Sequence, residues 1–278
     1  MYLDVLGGLR IGPAGGDAGP TAPKQRQLLG LLALRAGATV PVTTCVRELW
    51  DDHPPRSAAT TLQTYVMHLR RVLTRAEAPA RLLTGERGYL LRIDPEQTDL
   101  GVVREWARRG DQHAATGRPA HAARDWQQAL TLWRGPVLAD VRVGPVTQEI
   151  IGHLDQWRLL LIDRYLEAEL RCGRHRQVVA AATTLAGRHP LREPIHASLM
   201  AALYRSGRQA DAVLVYQRLC AALSRELGVE PSAAVQRMHR AVRTGAAWLE
   251  PPAGPATEPP VPTIRRPTLV PAPSSGAS

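Results

Sequence analysis

Several residue types are scarce or absent in this chain, and each shortage excludes a class of protein. Its 278 residues include no Phe and three cysteines, Cys45, Cys172 and Cys220. An odd number of widely spaced cysteines in apolar helical patterns predicts reduced core thiols rather than disulfides or a zinc site. The longest apolar run, residues 28–34, is far shorter than a membrane span, and the first residues lack a secretory leader pattern. We therefore expect a cytoplasmic protein with no membrane partner and no bound metal.

Motifs of the common catalytic sites are also missing. The sequence contains no phosphate-binding loop of the form GxxxxGKS or GxxxxGKT, no HExxH and no GxSxG. The adjacent carboxylates Asp51 and Asp52 fall at the end of a predicted helix, where solvated turn residues are usual. We therefore expect no enzyme activity, no catalytic residue and no cofactor.

Charge of one sign dominates the composition. The chain has 35 basic and 25 acidic residues, a formal charge of +10, and a single Lys among the basic residues. This excess favours a polyanionic partner, although heavy Arg use is also typical of GC-rich genomes. Residues 1–98 hold 12 basic and 9 acidic residues, whereas residues 99–245 hold 21 and 14. Charge alone therefore does not locate a binding surface, and the order of the elements has to decide.

The first hundred residues combine short strands with helices. Alternating apolar residues predict two strands within residues 2–11, around a turn at Gly7 and Gly8, before a Gly/Pro-rich loop. Further elements follow from apolar periodicity: helices over residues 27–36, 43–50 (capped by Thr43 or Thr44) and 57–74, and two strands around a turn at residues 85–88. This order is typical of a winged helix-turn-helix.

From residue 99 to 245 the pattern is helical and repeats every 34 residues. Gly173 then aligns with Gly207, and Leu185 with Leu219. A period of this length is typical of tetratricopeptide helix pairs. We expect tandem copies over residues 159–192 and 193–226, an earlier copy from Gly117, an insert over 137–158 with one additional helix, and a closing helix over 231–243.

The sequence thus predicts a mainly α fold with a small α+β part. A winged helix-turn-helix DNA-binding domain occupies residues 1–98, and an all-α tetratricopeptide-like domain occupies residues 99–245. Residues 251–278 contain nine prolines and little apolar periodicity. We expect residues 246–278 to form a Pro-rich disordered tail.

The third predicted helix carries the most informative pattern. Its apolar residues recur at helical spacing and form one stripe: Leu62, Val66, Leu69 and Leu73. The opposite face collects the residues that we expect to contact DNA bases: Thr60, Thr64, Met67, His68 and Arg71. Residues 56–75 include four arginines and no acidic residue, which suits a helix in the major groove. A merely solvated face is the alternative, because Arg-rich faces are ordinary in an Arg-rich chain.

A second group is expected at phosphates or in the minor groove. The turn GERGY places Arg87 at the tip of the hairpin and Tyr89 at its exit, where a guanidinium and a phenol could meet DNA. A core position for Tyr89, beside Leu90, is equally compatible with the pattern. Two basic residues near a helix N-terminus could bind phosphate there. The full group is Lys24, Arg26, Arg56, Gln63, Arg70, Arg87 and Tyr89.

Several stretches resemble those of a known family. KQRQLLGLLALRAGATVPVTTCVRELWDDHPPRSAATTLQTYVMHLRRVL, followed by GERGYLLRID, resembles the OmpR-type winged helix-turn-helix of the Streptomyces antibiotic regulatory protein family. LTLWRGPVLADV, with Trp133, Gly135, Pro136 and Asp140, and ELGVEPSAAVQRMHRAV resemble that family's bacterial transcriptional activation domain. The resemblance covers about residues 2–245. Met67 departs from it, because a small polar residue is expected on the groove face.

The resemblance implies a sequence-specific activator of a secondary-metabolite (antibiotic) biosynthetic gene cluster, associated with the nucleoid. Such a protein binds direct repeats in double-stranded promoter DNA as a homodimer, formed in solution or on the DNA. It also helps to recruit the RNA polymerase holoenzyme, with the tetratricopeptide-like domain contributing to dimerisation.

A tetratricopeptide-type protein-interaction scaffold is the alternative function. Arrays of this kind present concave surfaces to partner proteins. Such a scaffold would have only non-specific DNA affinity, which ignores sequence and falls steeply as salt rises. Substitutions on the third helix that weaken binding to one promoter would distinguish the two functions.

Overall fold

Two short strands begin the fold. In the computed structural model, which describes residues 2–12 and 18–250, β1 (Leu3–Asp4) pairs antiparallel with β2 (Arg10–Ile11). Gly7 and Gly8 lie in the turn between them, as the sequence predicts. Residues 13–17 of the following loop lie outside the described residues.

Three helices and a three-stranded sheet follow. In chain order the elements are α1 (Pro23–Leu34), β3 (Thr39–Pro41), α2 (Val42–Trp50), α3 (Ala58–Arg75), β4 (Arg81–Thr84) and β5 (Gly88–Arg92). The central strand is β5, which pairs antiparallel with β3 on one side and β4 on the other. Helix α3 packs on α1, α2 and β4. The unit is a winged helix-turn-helix in which β4 and β5 form the wing.

Strand β3 is missing from the sequence-based prediction. It aligns Thr39 with Leu90 and Pro41 with Gly88. A Cβ atom on Gly88 would lie 2.0 Å from the carbonyl oxygen of Val40, so the strands can approach this closely only because that residue is Gly. A strand of three residues whose partner lies far along the chain leaves no alternating pattern to detect.

Two helix starts also differ from the prediction. Helix α1 begins at Pro23 rather than at residue 27, because Pro in the first turn already has a helical φ and needs no N–H partner. Helix α2 begins at Val42, directly after Pro41, and no side chain caps it. Thr43 and Thr44, the expected caps, therefore lie inside its first turn.

The remaining helices of the described chain form the second half of the fold. They are α4 (Asp99–Ala115), α5 (Pro119–Thr131), α6 (Pro145–Arg171), α7 (His175–Arg188), α8 (Glu193–Arg205), α9 (Gln209–Leu227) and α10 (Ala233–Thr244). Neighbours pack pairwise, α4 on α5, α7 on α8 and α8 on α9. Gly173 follows α6 and Gly207 follows α8, with φ of 74° and 75°. Each Gly thus separates the first helix of a repeat, α6 or α8, from the second, α7 or α9. The architecture is the expected tetratricopeptide-like one.

The expected insert contains no separate helix. Helix α6 runs without interruption for 27 residues, from Pro145 to Arg171. The additional helix predicted within residues 137–158 is therefore the N-terminal half of α6. The 34-residue repeat predicts a helix start at residue 159, because only the C-terminal half of α6 has a counterpart in the following repeat.

The hydrophobic core crosses the predicted domain boundary at residues 98 and 99. One buried cluster extends from Leu3 to Ala168 and joins the winged helix-turn-helix to α4, α5 and α6. A second cluster extends from Ile162 to Leu249. Helix α6 therefore contributes side chains to both cores.

The predicted tail begins too early. Residues Ala247–Leu249 form a short 3-10 helix, and Leu249 is buried against α8. The Arg205 Nε atom donates a 2.6 Å hydrogen bond to the Leu249 carbonyl oxygen. Residues 251–278 of the predicted tail lie outside the described residues.

The cysteines and the apolar helices were both interpreted from the sequence. Cys45, Cys172 and Cys220 are thiols rather than disulfide-bonded cysteines, and Cys45 is fully buried, which raises the pKa of its thiol to about 12. In the described part of the chain, no helix has both the length and the apolar character needed to cross a membrane.

Candidate nucleic-acid interface

Helix α3 presents two contrasting faces. Its apolar stripe is buried as predicted, with exposures between 0% and 5% for Leu62, Val66, Leu69 and Leu73. The rings of Trp50 and Tyr65 stack with centroids 6.4 Å apart and hold the end of α2 against α3. The helix is therefore anchored along one side and free along the other.

The free side of α3 contains the residues predicted to contact bases. Thr60, Gln63, Thr64, His68 and Arg71 are all exposed, and Met67 is 48% exposed. The Thr64 hydroxyl donates a 3.1 Å hydrogen bond to the Thr60 carbonyl oxygen, and the side chain remains exposed. Arg71 makes no hydrogen bond or ion pair within the described residues. The structure thus brings the predicted base-contacting group together on one surface.

Helix α1 also reaches this surface, through a residue that the sequence-based set lacks. The Gln25 side-chain amide nitrogen lies 3.0 Å from the His68 Nδ1 atom. If that Nδ1 accepts the hydrogen bond, the Nε2–H of His68 points away as a donor. Because α1 begins at Pro23, Gln25 lies in its first turn, next to Lys24 and Arg26. A predicted helix start at Pro23 would therefore have grouped Gln25 with these two candidate DNA contacts.

Arg70 connects the recognition helix to the wing. Its Nε atom donates a 2.9 Å hydrogen bond to the Leu82 carbonyl oxygen, and its Nη2 atom donates a 2.7 Å hydrogen bond to the Thr84 hydroxyl. Arg70 is therefore a positioning residue that fixes β4 relative to α3, rather than a free phosphate ligand.

We expect Arg70→Ala to lower the free energy of unfolding by about 1–2 kcal/mol, because two hydrogen bonds from a charged donor are lost. Arg71→Ala is the matched control, since this neighbour makes no such bonds, and should change stability by about 0.5 kcal/mol or less. Denaturant unfolding of both variants measures the difference. Equal stabilities would contradict a clamping role for Arg70.

Two further arginines of the predicted group lie open to solvent beside α3. Arg56 is exposed just before the helix, and Arg87 is exposed at the tip of the wing, between β4 and β5. Neither makes a hydrogen bond or ion pair from its side chain within the described residues. Both positions suit contacts to the sugar-phosphate backbone or the minor groove on either side of a helix in the major groove.

Three further members of the expected phosphate-contacting group, in addition to Arg70, are bonded or buried within the protein, which corrects the sequence-based set. The Lys24 ammonium donates to the carbonyl oxygen of Leu49. The Arg26 guanidinium binds Asp140, with Nη2 and Oδ2 2.5 Å apart. Tyr89 is only 6% exposed, and burial raises the pKa of its phenol. Its position in central strand β5 places it in the core.

The start of α4 attaches to the N-terminal strands through one buried carboxylate. Asp99 is fully buried and accepts hydrogen bonds from the backbone N–H groups of Val5 (2.9 and 3.0 Å) and Leu6 (2.8 Å). The Arg134 guanidinium adds an ion pair at 2.8 Å. Burial raises the pKa of Asp99, although the two backbone N–H groups and Arg134 oppose that shift.

The segment between α5 and α6 wraps the same strands. The Leu138 N–H donates a 3.0 Å hydrogen bond to the Val5 carbonyl oxygen, and Asp140 accepts one of 2.7 Å from the Leu9 N–H. Leu138 adopts a φ of 53°, which is rare for a residue other than Gly, and is 2% exposed. The stretch LTLWRGPVLADV therefore connects the two halves of the fold through hydrogen bonds to the N-terminal segment.

A second buried carboxylate attaches helix α2 to the start of α6. Glu48 is 1% exposed and accepts hydrogen bonds from the N–H groups of Gly144 (2.7 Å) and Thr147 (2.9 Å). These are orphan donors of a helix N-terminus, where a carboxylate is favoured. A Cβ atom on Gly144 would lie 2.0 Å from the Glu48 carbonyl oxygen, so only Gly allows this contact. The winged helix-turn-helix is thus attached directly to the helical half of the fold.

Among the described residues, no cluster of three or more His, Cys, Asp or Glu side chains is arranged to hold a metal ion.

Comparison with known proteins identifies both halves of the fold. The family model described as bacterial transcriptional activator domain matches residues 98–243. The model described as transcriptional regulatory protein, C terminal, matches residues 16–91, which contain the winged helix-turn-helix.

Individual relatives match both halves together. The regulatory protein DnrI of Streptomyces peucetius is 39% identical over 249 residues, which cover 87% of this chain and 92% of DnrI. AfsR of Streptomyces coelicolor is 36% identical over 243 residues, but these cover only 24% of AfsR. The solved structure of Mycobacterium tuberculosis EmbR in complex with a low-affinity phosphopeptide is similar with a TM-score of 0.81 at 32% identity, covering 88% of this chain and 65% of that one. The activator-domain model matches more than half of this chain, and the match to DnrI covers most of both proteins. The chain therefore belongs to the Streptomyces antibiotic regulatory protein family, whose members are transcriptional regulators and not enzymes.

Proposed function

We propose that this regulator is a sequence-specific DNA-binding activator that inserts α3 into the major groove of promoter DNA. The exposed face of α3 carries the proposal, because its polar and cationic side chains lie opposite a fully buried stripe and no acidic residue interrupts them between residues 56 and 75. A helix of this width fits the major groove, where Arg and short hydroxyl side chains can reach base edges.

The chemistry of the face supports readout of both guanine and thymine. Arg71 has all its donors available for the O6 and N7 atoms of guanine. The methyl group of the exposed Thr64 and the thioether side chain of Met67 can offer apolar contact to thymine methyl groups. Met67 therefore contributes shape and apolar contact where a small polar residue would offer a hydrogen bond.

The finer features of the proposal rest on the family. We infer that two copies bind direct repeats as a homodimer, that the helical domain contributes to dimerisation and meets the RNA polymerase holoenzyme, and that the targets belong to a secondary-metabolite gene cluster. Genome-wide footprinting of bound sites tests the repeats and the targets together. A monomeric mass, both in solution and on a direct-repeat promoter, would contradict the dimer.

We expect Arg71→Ala to weaken binding to the cognate promoter by about tenfold or more, because a bidentate contact to guanine is lost. Thr64→Ala should change the preferred sequence, whereas Arg87→Ala should weaken binding to all sequences alike. Titration of a promoter fragment and of a panel with single base changes, at one fixed salt concentration, measures these effects.

Arg225→Ala is the control for these variants, since this exposed arginine lies on α9 and pairs only with neighbouring Glu226. Its promoter affinity should equal that of the wild type. If the three variants on α3 and the wing also keep wild-type affinity, α3 is not the recognition surface. The scaffold function would then be favoured, provided that the remaining DNA binding is indifferent to sequence and disappears as salt rises.

A further inference from the structure

A cleft of about 450 Å³ opens between helices α7, α8 and α9, in the half of the fold that the proposed DNA contacts do not use. Apolar side chains from three helices contribute to its lining: Val179 from α7, Leu199 and Leu203 from α8, and Leu214 and Val215 from α9. Polar and charged side chains make up much of the rest, and a cleft of this volume with both kinds of surface suits an amphipathic small molecule.

One face of α9 borders the cleft along its whole length. Asp211, Leu214, Val215, Arg218 and Ala222 all line it, at the spacing of a single helical stripe. Leu214 remains 46% exposed. This face of α9 therefore presents apolar side chains flanked by two charged ones to the cleft, and Leu214 is available there for contact with a bound molecule.

His196 supplies an unpaired polar group at the cleft. The side chain is only 6% exposed, yet neither ring nitrogen has a hydrogen-bond partner. Burial lowers the pKa of His196 and favours the neutral ring, although the nearby backbone carbonyls of Pro190 and His189 oppose this shift without completing a hydrogen bond. A neutral imidazole offers one donor and one acceptor. Buried polar groups of this kind ordinarily find partners, and a ligand in the cleft would provide one.

The charged residues at the cleft favour an anion. Arg208 and Asp211 pair with each other, with Nε and Oδ2 2.7 Å apart. Arg218 lies on the same face of α9, about two helical turns after Asp211. It is exposed, and its side chain makes no ion pair or hydrogen bond within the described residues. The cleft therefore has one uncompensated positive charge beside an apolar floor.

We propose that this cleft binds a small amphipathic organic acid, whose apolar body packs on Leu199 and Leu203, whose polar group pairs with His196, and whose anionic group pairs with Arg218. The ligand would give the regulator an input that is separate from its DNA contacts. The site is independent of the proposed function, because none of its residues belongs to α3 or the wing.

The full chain can be tested with 8-anilinonaphthalene-1-sulfonate, a fluorescent amphipathic anion. We expect saturable binding of one equivalent with a blue-shifted emission. Decanoate should displace the probe, whereas 1-decanol, which has the same chain and no charge, should displace it far less. Absence of binding by the wild type, or equal displacement by the acid and the alcohol, would overturn the proposal.

Variants locate the bound probe. Arg218→Gln should weaken binding by about fivefold, the upper range for a solvent-accessible ion pair, while Arg225→Gln, on the same helix but outside the cleft, should leave it unchanged. Thr183→Trp, at an exposed position on the cleft wall, should block binding without changing any charge. Thermal unfolding confirms that each variant is folded. Wild-type affinity in both Arg218→Gln and Thr183→Trp would place the probe elsewhere and refute the site.

Discussion

Replacing Asp99 with Ala is expected to lower the free energy of unfolding by about 2–4 kcal/mol, because each buried N–H group left without an acceptor costs about 1–3 kcal/mol. The substitution leaves the N–H groups of Val5 and Leu6 without an acceptor and the Arg134 guanidinium without its closest carboxylate. The buried N–H groups cannot recover their lost hydration, whereas the partly exposed Arg134 guanidinium keeps Asp4 at 3.3 Å and contributes less to the loss. Denaturant unfolding followed by circular dichroism measures the loss.

Two variants accompany this measurement. Glu96→Ala removes an exposed carboxylate three residues away, and should change stability by about 0.5 kcal/mol or less. Asp99→Asn keeps the shape but presents an amide that has donors of its own to the backbone N–H groups, so it should also be strongly destabilising. A loss below about 1 kcal/mol for Asp99→Ala would show that Arg134 and the strands do not depend on this carboxylate.

Replacing Glu48 with Ala should cost about 2–4 kcal/mol of unfolding free energy. The carboxylate satisfies two N–H groups at the start of α6, the buried one of Thr147 and the partly buried one of Gly144, and each unsatisfied buried donor costs about 1–3 kcal/mol. Because Glu48 lies on α2 and its partners lie on the other half of the fold, the variant tests the attachment between the two halves.

Glu149→Ala is the matched control, since this carboxylate lies on the exposed side of α6. The exposed face of α3 is unchanged in Glu48→Ala, so folded protein at low temperature should keep its promoter affinity to within about twofold. A variant as stable as the wild type would show that the N-terminus of α6 finds other acceptors. A stable variant that loses promoter affinity would instead assign Glu48 a direct role in DNA binding.

The recognition helix could be predicted from sequence because its signal is local. The stripe from Leu62 to Leu73 and the polar face opposite it lie within one helix, so helical periodicity alone assigns each side chain to the core or to solvent. The glycines after the repeat helices are similarly local, since a left-handed residue ends a helix wherever it occurs. These features required no knowledge of how distant segments meet.

Several residues that the sequence misplaced have partners far along the chain. Arg26 and Asp140 are separated by 114 positions, so no local pattern could show that the guanidinium is occupied. Tyr89 points into the core because β5 is the central strand, which depends on the unpredicted pairing with β3. The two buried carboxylates, Asp99 and Glu48, appear in the sequence as ordinary acidic residues near helix ends.

The continuous core has a consequence for attempts to redirect this regulator to other promoters. A chimera joined at residue 98 would separate Leu3, Val5 and Leu138, and would leave Asp99 and Glu48 facing a foreign surface. Such an exchange would transplant half of a folding unit. Under the proposed function, new target specificity is better engineered by replacing the exposed side chains of α3 one at a time on an otherwise unchanged scaffold.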